Sequence, residues 1–168
     1  MTGRTAARKL IPNRRAERRG AAIVEMAFVV PVFAIFMFGI IEVNRAFMVK
    51  AVLRSAAEQG ARYGVADGVT TAEVSAKVRE ILGSALPVDE ITIYVKDGAE
   101  FDDPGLDPAT VDYTALPDIE VASCQPRHLY IVRCEVDFAA VSLLPPKFLN
   151  NSAGESLLLV GQSVMRHE

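Results

Sequence analysis

Few side chains in this chain of 168 residues are of a type and spacing that could do chemistry. Cys124, His128 and Cys134 form a Cys-x3-His-x5-Cys run, which offers soft ligands but lacks a fourth donor and the ligand spacing of a zinc site. Asp102, Asp103 and Asp107 lie in a segment, Asp97 to Glu120, that holds eight acidic residues and no Lys or Arg. Their spacing does not follow a calcium loop, and a solvated acidic face is the commoner arrangement. There is no Gly-x-Ser-x-Gly elbow and no phosphate-binding glycine loop, and one of the two histidines is penultimate. The sequence therefore predicts no catalytic residue, no metal and no cofactor.

One further carboxylate stands out by its surroundings. Glu25 sits at the head of an apolar run: Met26 to Ile41 are sixteen residues without a charge, and counting back to Ala21 gives twenty-one. As a helix rising about 1.5 Å per residue, twenty-one residues span roughly 30 Å, the hydrocarbon thickness of a bilayer. The run is longer than the h-region of a removed secretory signal and ends in Ile-Glu-Val-Asn-Arg, without a small-x-small cleavage pattern. The segment is thus expected to cross a membrane over residues 21–42, with the lipid bilayer as its partner.

Charge orients it. Residues 1–19 carry seven basic residues against Glu17, a net +6, and the rest of the chain carries −9. Cations gather on the cytoplasmic side of a span, so a basic leader, 1–20, is expected in the cytoplasm and residues 43–168 on the other side. That topology accounts for the basic stretch, and no nucleic acid is expected as a partner.

The elements that must position these residues follow from periodicity. Helical spacing runs on past the apolar segment through Val43, Phe47 and Leu53, predicting one helix over 21–66 that ends at Gly64 or Gly68. Ala56, Gly60 and Gly64 form a stripe of small residues on which another backbone can approach closely, either within the same domain or from a neighbouring helix. Thr70-Thr71-Ala72-Glu73 has the form of a capping box, and a helix over 71–83 follows it. Beyond Pro87 the period changes to two, giving candidate strands at 90–97, 118–123, 129–138 and 156–165. Loops rich in Gly and Pro lie at 98–117 and 144–154. The fold class expected is α+β: a long N-terminal helix and a short second helix with a small antiparallel sheet of about four strands within 90–165.

With those elements placed, three stretches resemble a known family. RRGAAIVEMAFVVPVFAIFMFGIIEVNRAF (18–47), AAEQGARYG (56–64) and, more weakly, VMRHE (164–168) are similar to sequences of the TadE-like family of pilus-assembly pseudopilins. The resemblance implies a pilin-like fold and a structural, non-catalytic component of a tight-adherence (Tad, or Flp) pilus or secretion system. It implies a single pass through the bacterial inner membrane, a periplasmic domain, and other pilus subunits as partners. It also implies a prepilin peptidase that cuts between Gly20 and Ala21, which makes Glu25 the fifth residue of the processed chain. The competing class is a permanent membrane anchor whose periplasmic domain binds a ligand or partner and never enters a filament.

Several roles then stand as alternatives. Glu25 either pairs with the freed α-amine of an adjacent subunit, which would fix the stagger of the helices, or rests at the interface near Arg18 and Arg19. Gly20 is either a cleavage determinant or a small residue at a helix start. An oxidising periplasm would permit a disulfide between Cys124 and Cys134. A tight hairpin at residues 125–128 would set Cys134 opposite Ile119, roughly 16 Å along the strand from Cys124, so a bond requires Cys124 to lie on a loop that folds back.

Overall fold

A computed structural model of the chain describes residues 14–108, 110–143 and 157–168. Most of the basic leader and the loop expected at 144–154 lie outside the described residues. Helix α1, Arg14–Gly64, carries Pro31 within it. The chain divides into two units, residues 1–41 and 42–168.

In the first unit, residues 22–33 and 35–41 are exposed along the helix and Ala34 is partly covered. The second unit holds the core. Here the helix turns one face inward through Val49, Leu53, Ala56, Ala57 and Ala61, all buried, at the three- and four-residue spacing of a helical stripe. Val43 and Phe47, which share helical spacing with Leu53, face outward, 56% and 68% exposed.

Helix α2, Thr71–Gly83, starts on the expected capping box. The Thr70 hydroxyl accepts the Glu73 backbone N–H, and the Glu73 carboxylate accepts the Thr70 N–H at 2.8 Å. Those hydrogen bonds hold the Glu73 carboxyl below its ordinary range. Val74, Val78 and Leu82 form the buried face of the helix.

The sheet has three antiparallel strands in the order β1 (Ile91–Asp97), β2 (Leu129–Asp137), β3 (Leu158–Arg166). Register aligns Ile93 with Cys134 and Cys134 with Gly161. Strand β2 is central and buried on both faces: Tyr130, Val132, Cys134 and Val136 share one, and Ile131 lies on the other. A four-residue helix, α3 (Phe138–Val141), follows β2, capped by Asp137, whose carboxylate accepts the Ala139 N–H.

The strand expected at 118–123 does not form. Asp118 alone bridges to Lys96 of β1. The next residues are drawn to the start of α2: the Thr71 hydroxyl donates to the Ile119 carbonyl at 2.8 Å and accepts the Val121 N–H at 3.0 Å. Glu120 accepts the Thr71 backbone N–H at 2.8 Å, and residues 121–123 close into a 3-10 turn. One threonine thus competes with a strand ladder for the same backbone groups and wins them.

Candidate functional site

The first candidate surface is the outward apolar stretch of α1. Phe28 is 73% exposed and Phe33 and Phe36 are also open, and among the described residues none of the most apolar window is buried. Burying one such side chain is worth about 1.5–3 kcal/mol, so leaving a stretch of this size open to water is costly. The helix is long and apolar enough to cross a membrane. Glu25 is exposed within this stretch, with Phe28 and Val29 one turn on. Gly20 is exposed too, and a Cβ added there would meet nothing within 4 Å.

The small-residue stripe is occupied by the chain's own second helix. A Cβ on Gly60 would strike the Val78 side chain, and one on Gly64 would lie 2.8 Å from a Val74 methyl and 3.0 Å from the Tyr130 hydroxyl. Ala56 is fully buried in the same core. The Tyr130 hydroxyl donates to the Ala61 carbonyl. Gly60 and Gly64 thus face α2 and Tyr130 of the same unit.

The cysteines are free thiols. Cys134 lies in the core cluster between Ile93 and Gly161, and burial pushes its thiol up to about 12. Cys124 is half-buried at the end of the 3-10 turn, its Sγ 3.4 Å from the Glu120 carbonyl oxygen. Burial, then the charges of Asp97 and Glu120, raises the Cys124 thiol as well. The expected bridge is not made here. The turn at residues 125–128 is present, with the His128 N–H donating to Gln125 O at 3.0 Å, but it leads back to the 3-10 turn and not to a paired strand.

No group of His, Cys, Asp or Glu among the described residues is placed to hold a metal ion. The acidic segment has local work. Asp97 accepts the Ala99 N–H and holds His128 Nε2 at 2.9 Å; Asp103 accepts the Gly105 N–H; Asp118 pairs with Lys96 at 2.7 Å and Asp102 with Arg166 at 2.5 Å. Each carboxylate closes a turn or pins the segment to the sheet.

Two further features leave little signal in the sequence. Glu42, 6% exposed, accepts the Leu143 N–H at 2.8 Å and the Ser142 hydroxyl at 3.0 Å, while Arg45 Nε donates to the Val141 carbonyl. The only advance signal was a second glutamate closing the apolar run. The other feature is a basic cleft of about 640 Å³ on the β3 side of the sheet, between Lys50 and Arg54 of α1 and Tyr113 and Arg133.

An outward apolar N-terminal helix whose continuation packs on α2 and a three-stranded antiparallel sheet defines an α+β, pilin-like protein. Within that class the helix carries the specific likeness. Residues 20–62 match the family described as TadE-like protein, so the chain carries a TadE-like domain over that span. No curated protein and no solved structure matches the chain.

Proposed function

We propose that this protein is a membrane-anchored, non-catalytic subunit of a tight-adherence (Tad) type pilus assembly. Residues 21–42 span the bacterial inner membrane, with the basic leader in the cytoplasm and residues 43–168 in the periplasm. One observation carries this reading: the TadE-like match covers the very stretch of α1 that leaves its apolar side chains, and Glu25 among them, uncovered. A carboxylate in hydrocarbon costs about 2.5–3.5 kcal/mol at mid-bilayer. Cleavage between Gly20 and Ala21 creates an α-amine one helical turn from Glu25, and the amine of a neighbouring subunit is the partner that offsets that cost.

Intact-mass measurement of membrane-extracted protein tests the processing step. Loss of residues 1–20 is the result expected; an intact leader would mean a permanent anchor. For the pairing step, Glu25→Ala is expected to abolish incorporation into sheared pilus fractions while leaving membrane insertion unchanged. Normal incorporation of that variant would remove Glu25 from the assembly mechanism.

A further inference from the structure

Strand β3 is an edge of the sheet. Among the described residues nothing pairs with its outer side, whereas the outer side of β1 is met by Asp118 opposite Lys96 and by the Pro117 carbonyl, which accepts the Asp97 N–H at 2.9 Å. Such an edge presents alternating unpaired N–H and C=O groups, a template for one more strand. The basic cleft lies along it: its wall includes Val160, Gly161 and Gln162 of β3.

The charged side chains that line the cleft are all basic, and two of the three already meet a carboxylate just outside it, Arg133 at Glu135 and Arg54 at Glu58. Lys50, Arg54 and Arg133 line the cleft, and no carboxylate does. The Arg133 guanidinium is fixed, 4.1 Å from the centre of the Tyr113 ring, with Nε to Glu135 at 2.5 Å and Nη1 to Gln162 at 2.7 Å. Lys50 makes no ion pair among the described residues, and Arg54 meets only Glu58, at 3.3 Å on an open surface. Gly161 brings these cations to the edge: it lies directly against the α1 backbone at Leu53 and Arg54, where any Cβ would collide.

The geometry points to β3 as the acceptor edge for an extended acidic segment of a partner protein, added as a fourth strand. Lys50 and Arg54 are one turn apart, about 6 Å along the helix. Alternate residues of a strand, which share a face, are about 6.8 Å apart. A Glu-x-Glu pattern therefore supplies carboxylates at the spacing of the two cations while its backbone satisfies the edge. Lysine at a sheet edge is also a guard against indiscriminate pairing. The two roles agree, because cations that reject apolar and basic strands admit an acidic one. Phosphate-bearing ligands fit less well: they offer acceptors only, and an edge strand needs donors and acceptors in alternation.

The test uses the full chain in detergent micelles and a fluorescent, end-blocked peptide of about seven residues alternating Glu and Val. Saturable binding is expected, with slowed amide exchange confined to residues 158–166. Reversing both exposed cations, Lys50→Glu with Arg54→Glu, is expected to weaken binding at least about tenfold. Lys in place of Glu in the peptide, or Pro at its centre, should weaken it as much. The inference is overturned by absence of binding up to about 1 mM peptide, by equal binding of the lysine or proline peptide, or by protection outside β3. Displacement of the peptide by phosphatidylglycerol vesicles or a short DNA duplex at lower concentration would overturn it too.

Discussion

Glu42 and Leu143, 101 positions apart in the chain, are joined by a hydrogen bond of 2.8 Å from the Leu143 backbone N–H to the Glu42 carboxylate. One turn along α1, Arg45 takes the Val141 carbonyl. Two side chains of one helix thereby hold both backbone polarities at the end of α3, a donor and an acceptor that a short helix leaves without partners of its own. The acceptor is buried, so its removal strands a donor.

Glu42→Ala is accordingly expected to destabilise the folded domain by about 1–3 kcal/mol. Glu42→Gln, which keeps one carbonyl acceptor, should cost less. Chemical unfolding of the full chain in micelles, followed by tyrosine signals, measures both; equal stability of all three proteins would show that the contact contributes nothing.

Gly161 and Gly39 make a matched pair of glycines. A Cβ on Gly161 would collide with the backbone of Leu53 and Arg54 and lie 2.6 Å from Leu53 Cβ, whereas one on Gly39 meets nothing within 4 Å. Neither helix nor sheet backbone yields cheaply, so Gly161→Ala is expected to lose about 1–3 kcal/mol through overpacking. Gly39→Ala is expected to leave the unfolding midpoint of the 42–168 unit unchanged. Should Gly161→Ala unfold at the parent midpoint, the close approach of α1 to β3 would be refuted.

Alkaline pH is expected to weaken the fold through two buried groups. Burial raises Tyr130 from 10.0 to about 12 and Cys134 from 9.0 to about 12. Both are protonated and neutral in the folded core, so on raising the pH the unfolded chain gives up these protons first. Between the unfolded and folded values the folded state holds more protons, and stability falls as pH rises. Their contribution is therefore complete below about pH 9 and is lost towards pH 12, at up to about 1.4 kcal/mol per pH unit for each group. Tyr130→Phe should cost about 1 kcal/mol at neutral pH, from the lost bond to Ala61, and flatten the decline above pH 10. Cys134→Ala should flatten the part that begins near pH 9. Unfolding free energies across that pH range check both; an unchanged slope in either variant would exclude that group as a source.

What the sequence made legible was local. The apolar run and its helical continuation gave α1, and the capping box at Thr70 and Glu73 gave α2 with its correct boundaries. Alternation placed β1, the β-branched and aromatic residues of 130–138 placed β2, and an apolar run placed β3, each within two residues. Features that depend on which element meets which were not legible. Ile119 and Val121 alternate like a strand, and nothing local says that the Thr71 hydroxyl will claim the backbone beside them. Small residues at 56, 60 and 64 announce a close approach but do not name the neighbour, which is α2. The cleft escaped notice for the same reason, since Lys50, Arg54 and Arg133 are brought together only by the crossing of α1 over Gly161. Glu25 is exposed among the described residues, so the fold of the chain itself adds nothing to what the sequence says of it.

The two thiols should separate sharply in reactivity. Cys124 is half-buried and its thiol is raised by burial and by Asp97 and Glu120, which disfavours the reactive thiolate. Cys134 has no exposed surface and sits in the core between β1 and β3. In folded protein a maleimide should modify Cys124 alone, more slowly than a free cysteine, and Cys134 only on unfolding. Peptide mass mapping before and after denaturation distinguishes the sites. Protein taken from an oxidising compartment that shows no modification even when denatured, unless first reduced, would carry a Cys124–Cys134 bridge. Such a bridge would require Cys124 to leave its place beside Glu120 and the 3-10 turn at 121–123 to repack against the buried face of β2.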